Sequence, residues 1–291
     1  MNTEIFKGTG VALITPFNKD QSIDFDGLKA VIDHVSEGEV DYLVILGTTG
    51  EAPTITAEEK NQVTEFVIAN NPRNLPIVYG LGGNSTKWVT DQLDLIKDYP
   101  LAAILSLSPY YNKPSQAGIV QHYEAIADAS PFPVILYNVP ARTSSNITTE
   151  TTVTLSKHPN IIGTKEASGN LTQCMEIRAN TDEDFLLISG DDALTLPMMS
   201  FGCVGAISVI ANLQPAAFSR MVKLALAGDF KGASKLHFEL LQGYELVSAE
   251  GNPVSVKSGL DAFGLIQNTV RSPLYAGSKE LIRHFKMYLN K

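Results

Sequence analysis

The sequence predicts an α/β fold, a (β/α)8 TIM barrel with a C-terminal helical extension, and three observations carry that reading. Short β-branched runs alternate with longer amphipathic stretches through most of the chain. Several of the runs are almost continuously apolar, as a parallel sheet covered on both faces requires. Eight such βα units follow one another in order, which suits a closed barrel better than the competing doubly wound open sheet.

The strands expected are Val11–Pro16, Tyr42–Gly47, Pro76–Leu81, Ala102–Ser108, Val134–Asn138, Ile161–Lys165, Phe185–Ser189 and Gly205–Val209. Helical periodicity follows each, as in Phe25–Glu37, Ala57–Asn70 and Ser115–Ala129. Beyond Gly228 strand signals give way to three helical stretches, Lys231–Ser248, Val254–Leu265 and Ser278–Leu289. The expected division is therefore a catalytic barrel over 1–227 and a helical extension over 228–291, with no flexible Pro- or Gly-rich linker between them.

Composition narrows the function. Of 291 residues, 44% are hydrophobic and 18% charged, the profile of a globular chain with a large core. A formal net charge of −9 speaks against nucleic-acid and anionic-membrane partners. It leaves room for an anionic substrate, which needs only one or two local cations. Cys174 and Cys203 sit in apolar surroundings without metal or redox spacing and read as buried free thiols in a reducing compartment. The N-terminus lacks the basic start and apolar run of a signal peptide, and no stretch approaches membrane-spanning length. A cytoplasmic protein is expected.

In a barrel of this kind the active site is built from the loops at the carboxyl ends of the strands, and the unusual residues of this chain lie there. Lys165 ends the apolar run Ile161-Ile162-Gly163-Thr164. Desolvating an ammonium is costly, burial lowers a lysine's pKa, and a neutral amine attacks a carbonyl to give a Schiff base. Taken alone, the segment is better explained by a lysine snorkelling from a strand end, and the rest of the chain is what shifts the balance. Gly47-Thr48-Thr49-Gly50-Glu51 follows the second strand, and its hydroxyls and amides suit a carboxylate. Tyr110 and Tyr111 lie between prolines after the fourth strand, in a stiff loop fit to close a pocket or to meet another subunit. Tyr137 shares parity with Ile135 and should face the barrel interior, while Arg142 offers a planar fork for a carboxylate. A lysine amine, tyrosines, a threonine hydroxyl and carboxylate-binding groups together suit Schiff-base chemistry on a 2-oxo acid, in which the imine is an electron sink and loss of a methyl proton gives an enamine.

Other chemistries fit poorly. The five histidines are scattered without metal-ligand spacing. Gly80-Leu81-Gly82-Gly83 begins like a dinucleotide loop, but Ser85 stands where the last glycine belongs. Gly190-Asp191-Asp192 reads more naturally as a helix-entry turn than as a metal site. Gly202-Cys203-Val204-Gly205 precedes the eighth strand, the wrong side for a phosphate cradle. No metal and no cofactor are expected.

The segments GTTGE (Gly47–Glu51), SPYYNKPSQ (Ser108–Gln116), YNVPART (Tyr137–Thr143), IIGTKEASGN (Ile161–Asn170), SGDD (Ser189–Asp192) and GAISV (Gly205–Val209) resemble the dihydrodipicolinate synthase family, within the N-acetylneuraminate lyase and class I aldolase superfamily. The resemblance runs in register from about Gly8 to the C-terminus. It implies condensation of pyruvate with L-aspartate 4-semialdehyde on the diaminopimelate route to lysine. Carried across, Lys165 is similar to the Schiff-base lysine and Tyr137 to the general acid/base. Thr49 and Tyr111 resemble its relay partners, the tyrosine reaching into a neighbouring subunit's site. Thr48 resembles a donor to the pyruvate carboxylate and Arg142 the clamp for the semialdehyde carboxylate. Gly190 and Ile207 resemble the backbone lining near the lysine. A homo-oligomer, a tetramer built as a dimer of dimers, is implied.

Two departures stand out. Members inhibited by lysine commonly place a histidine and a glutamate in an allosteric cleft where Lys60 and Trp88 stand here, although Asn84 and Tyr110 are kept. A cation facing a cationic inhibitor is repulsive, so weak or absent feedback inhibition is expected. Ser255 also replaces a proline of an NPxPVK-like turn. The alternative function is that of a sibling lyase acting on N-acetylneuraminate or a 2-keto-3-deoxy sugar acid. Those enzymes usually lack an arginine where Arg142 stands. A non-catalytic barrel would be expected to have lost Lys165 or Tyr137, and both are present.

Overall fold

The structure is a computed structural model that describes residues 3–289. Eight parallel strands form a closed barrel in chain order: β1 Gly8–Ala12, β2 Tyr42–Ile45, β3 Ile77–Gly80, β4 Ala103–Leu107, β5 Val134–Asn138, β6 Ile161–Glu166, β7 Leu186–Ser189 and β8 Gly205–Ser208. Their residues are almost uniformly buried, which explains why the sequence shows apolar runs rather than alternation. Helices stand between the strands: α1 Phe25–Glu37, α2 Ala57–Ala69, α3 Thr86–Ile96, α4 Gln116–Ala129, α5 Pro140–Thr143, α6 Thr149–Leu155, α7 Leu171–Asn180 and α8 Thr195–Met199. After the last strand come α9 Pro215–Leu226, α10 Phe230–Ser248, α11 Val254–Phe263 and α12 Lys279–Leu289. The expected barrel and helical extension are both present.

The first strand is the clearest correction. It runs Gly8–Ala12, whereas the apolar pattern placed it at Val11–Pro16. Gly8 and Gly10 are needed because side chains of β2 and of the residue before it lie against them. A Cβ on Gly10 would fall 2.2 Å from the Tyr42 ring, and one on Gly8 would fall 2.1 Å from the Asp41 carboxylate. Beyond Ala12 the chain stays buried without continuing the strand, because Ile14 donates its N–H to Asn212 Oδ1 at 3.2 Å and Thr15 its hydroxyl to Gly50 O at 2.9 Å. The other strands fall within a residue or two of their expected limits.

Contacts divide the chain into two compact units, Pro76–Ile207 with the segment ending at Lys7, and Gly8–Leu75 with the segment from Ser208 onward. In the first, β5 and β6 pair with Tyr137 opposite Lys165 and Asn138 opposite Glu166. Polar residues at the strand ends start the helices that follow. Ser85, which spoiled the dinucleotide pattern, caps α3 by accepting the Trp88 N–H, and Ser115 caps α4 through Gly118. In the second unit, Thr56 and Glu59 form a reciprocal capping box on α2, Asp24 caps α1, and Asp229 caps α10. Helix α11 stops two residues short of expectation, at Gly264, whose left-handed φ of 85° ends it.

Candidate active site

Lys165 and Tyr137 are the penultimate residues of β6 and β5. Their register places the Lys165 amine 4.3 Å from the centroid of the Tyr137 ring. Both side chains are buried, at 5% and 8% exposure. The snorkelling alternative therefore fails. Gly190, the first residue after β7, makes this burial possible. A Cβ there would come within 2.6 Å of the Ala167 Cβ and 3.0 Å of the Lys165 Cε, so any side chain would displace the stem that carries the amine. Its own N–H donates to Glu166 O at 2.8 Å, which fixes the turn against β6. Ile207, on β8, is buried next to Ala206, which pairs with Ser189.

The opposite face of the same strand pair holds a carboxylate that the sequence reading passed over. Glu166 is 1% exposed. Its oxygens accept from Asn138 Nδ2 at 3.2 and 3.0 Å, Gln173 Nε2 at 3.0 Å and the Ser168 N–H at 2.7 Å. Neutral donors thus satisfy a buried acid. The bonds from Asn138 pin β5 to β6 at the register that sets Tyr137 beside Lys165. A glutamate inside an apolar strand was the available signal.

The loops nearby hold the other expected residues of this unit. Arg142 is exposed on the short helix α5, whose Thr143 hydroxyl donates to Ser145 O at 2.7 Å. Tyr111 is 87% exposed and carries a left-handed φ of 71°. That conformation is costly for an aromatic residue and holds the ring outward. Asn112 anchors the loop by donating to Asn84 O at 2.9 Å, so Asn84 and the Tyr110 loop are brought together. Tyr110 and Trp88 are exposed. The Gly190-Asp191-Asp192 segment is a turn, as expected: Asp191 Oδ1 accepts the N–H groups of Ala193 and Leu194 at 3.0 and 3.3 Å. Among the described residues no cluster of His, Cys, Asp and Glu is placed to hold a metal ion. Cys174 and Cys203 are buried and unpaired, and burial pushes both thiols up to about 12.

In the second unit the Gly47–Glu51 loop is tighter than its composition suggested. The amides of Gly50 and Glu51 donate back to Gly47 O and Thr48 O, both at 3.1 Å. Those two N–H groups are used inside the turn, so fewer amides face a ligand than the sequence reading supposed. Thr48 is half-buried, and Thr49 is buried and accepts from Asn252 Nδ2 at 2.9 Å. Glu51 takes a left-handed φ of 55°, which turns its carboxylate onto Lys257. Lys257 is fully buried. Its amine pairs with Glu51, donates to Thr269 O at 3.0 Å and lies 4.1 Å above the Phe17 ring. Burial pulls this lysine down to about 8, against the opposing pull of Glu51. Arg271 lies over the same ring, donates its N–H to Glu51 Oε2 at 3.0 Å, and grips Glu59 at 2.8 and 2.5 Å. Hydrogen bonds from that guanidinium hold the Glu59 carboxyl down at about 2. Lys60, on α2, is half-buried, and burial lowers its pKa.

Comparisons with known proteins follow the same lines. The model of the "Dihydrodipicolinate synthetase family" matches residues 5–291. The 4-hydroxy-tetrahydrodipicolinate synthase of Parabacteroides distasonis is 49% identical over 269 residues, covering 92% of this chain and 91% of the relative. A solved dihydrodipicolinate synthase from Cyanidioschyzon merolae with lysine bound superposes with a TM-score of 0.94 at 34% identity, covering 98% of each chain. A structure described as the first monomeric dihydrodipicolinate synthase variant gives a TM-score of 0.96 at 29% identity, covering 99% of this chain and 97% of the other. With the lysine–tyrosine pair, the barrel and these matches in agreement, the chain belongs to the dihydrodipicolinate synthetase family.

Proposed function

We propose that the protein condenses pyruvate with L-aspartate 4-semialdehyde, the reaction of 4-hydroxy-tetrahydrodipicolinate synthase. The observation that carries this reading is the buried Lys165 amine over the Tyr137 ring. Lys165 Nζ attacks C2 of pyruvate, and the carbinolamine loses water to give an imine. Loss of a proton from the methyl carbon then yields an enamine, whose carbon attacks the aldehyde of the second substrate. Each stage moves a proton, and Tyr137 is the acid/base positioned to do so. Thr49 and Tyr111 take the relay roles that the family resemblance gives them. Thr48 binds the pyruvate carboxylate, Arg142 the semialdehyde carboxylate, and Gly190 and Ile207 line the lysine's side of the site.

Pyruvate enters as a small anion and the semialdehyde as a zwitterion with one carboxylate, so a few local cations such as Arg142 suffice in a protein that is acidic overall. A homo-oligomer, a dimer of dimers, is the assembly that gives the outward Tyr111 a partner, and native mass spectrometry distinguishes it from a monomer. The proposed location is the cytoplasm. Among the described residues no helix is long and apolar enough to cross a membrane. Pyruvate consumption in the presence of the semialdehyde, with wild type and Lys165→Ala in parallel, tests the reading. Turnover that is lost in the variant supports it. Absence of wild-type turnover, with pyruvate still trapped on Lys165 by borohydride, would transfer the proposal to a sugar-acid lyase.

A further inference from the structure

We propose that Asn252 is a positioning residue that fixes the direction in which the Thr49 hydroxyl passes its proton; the inference rests on the relay role proposed for Thr49. A threonine hydroxyl has one proton and two lone pairs, so its polarity is set by its neighbours. Asn252 Nδ2 lies 2.9 Å from Thr49 Oγ1 and has only hydrogens to offer. Thr49 therefore accepts on that side, and its single O–H is left for a different partner. At 3% exposure, bulk water does not compete for it.

The geometry around this bond is held on both flanks. Asn252 stands just before α11, and that helix reaches the same loop a second time through Lys257, which pairs with Glu51 two residues beyond Thr49. The Arg271 N–H secures the other Glu51 oxygen at 3.0 Å. Between the two grips, Gly50 O accepts the Thr15 hydroxyl at 2.9 Å, and a Cβ on Gly50 would come within 3.2 Å of Leu13 O. These contacts hold the loop backbone on the C-terminal side of Thr49. Were the amide reversed, its oxygen would take the Thr49 proton and the relay would stop there.

Two isosteric substitutions separate this role from simple packing. Asn252→Leu removes the donor and leaves the hydroxyl free to turn, and Asn252→Asp replaces the donor with an acceptor. Steady-state kinetics should show kcat about tenfold lower in Asn252→Leu and about a hundredfold lower in Asn252→Asp, each with the KM for pyruvate within about twofold of wild type. The Asp variant should recover relative to the Leu variant as pH falls, because a protonated carboxyl donates again. In a Thr49→Val background, itself slowed by about a hundredfold, neither change should reduce kcat further. If the Asp variant does not fold, Asn252→Leu with and without Thr49→Val carries the test. Equal effects of Leu and Asp, or a loss that persists on Thr49→Val, would overturn the role of Asn252 while leaving the relay intact. Wild-type kcat in Thr49→Val would remove the relay reading itself.

Discussion

Among the described residues two lysines are almost wholly buried, and their surroundings are opposite. Lys257 is fully enclosed and compensated: Glu51 supplies the counter-charge and Thr269 a carbonyl. Lys165 is nearly as deep, yet among the described residues no carboxylate forms an ion pair with it, and its amine lies over the face of Tyr137. The carboxylate next to it in sequence, Glu166, points to the other side of the sheet and is satisfied by neutral donors. Alternation along β6 thus keeps the acid from pairing with the base. On the proposed function, the lysine with a counter-ion is structural and the one without is the nucleophile.

The comparison breaks most visibly by removing each amine. Lys165→Ala should lower kcat by at least about a thousandfold while leaving the denaturation midpoint close to wild type, because no ion pair is lost. Lys257→Met should act first on stability, with any loss of kcat following from the loosened Thr49 loop. It strands Glu51 as a buried charge, which costs on the order of 3–5 kcal/mol in chemical denaturation, and much of that should return in Lys257→Met/Glu51→Leu. A Lys257 variant that keeps full stability would show that the pair does not hold α11 to the loop.

The acid side sharpens the contrast between the two units. His122 is 4% exposed, and burial lowers its pKa to about 4 from an ordinary 6.5. The unfolded chain therefore binds a proton that the folded chain refuses, and stability should fall as pH drops from about 6.5 to 4, by on the order of 3 kcal/mol. Glu59, held at about 2 by Arg271, loses its contribution lower down, as pH falls from its ordinary 4.5 toward 2. Urea melts across pH should thus show a first loss that His122→Phe flattens and a second that Arg271→Ala removes.

Gly190→Ala tests the space around Lys165. The new methyl meets the Lys165 stem and Ala167, so kcat/KM should fall about tenfold or more, with a stability loss of roughly 1–3 kcal/mol. The smallest expected effect is that of free L-lysine. With Lys60 and Trp88 at their positions, millimolar lysine should leave the rate unchanged, and sub-millimolar inhibition would contradict the repulsion argument.

What could be read from the chain was local. Lys165 ends an apolar run, Tyr137 keeps the parity of its strand, and most strands and helices carry their own periodicity and caps. Long-range partners left no trace. Asn252 meets Thr49 across 203 residues and Lys257 meets Glu51 across 206, and nothing near either end announces the other. The start of β1 was misplaced for the same reason, since the Tyr42 ring that requires Gly10 is far along the chain. The Gly47–Glu51 loop was recognised as a site by its composition, but which of its amides remain for a ligand depends on how the turn closes on itself.

The central claim is that the uncompensated buried lysine, not the paired one, carries the chemistry. Wild-type protein incubated with pyruvate, reduced with borohydride and mapped by peptide mass spectrometry tests it directly. A single adduct on the peptide bearing Lys165, absent in Lys165→Ala, is the result expected. An adduct on Lys257, or none on either, would contradict the account.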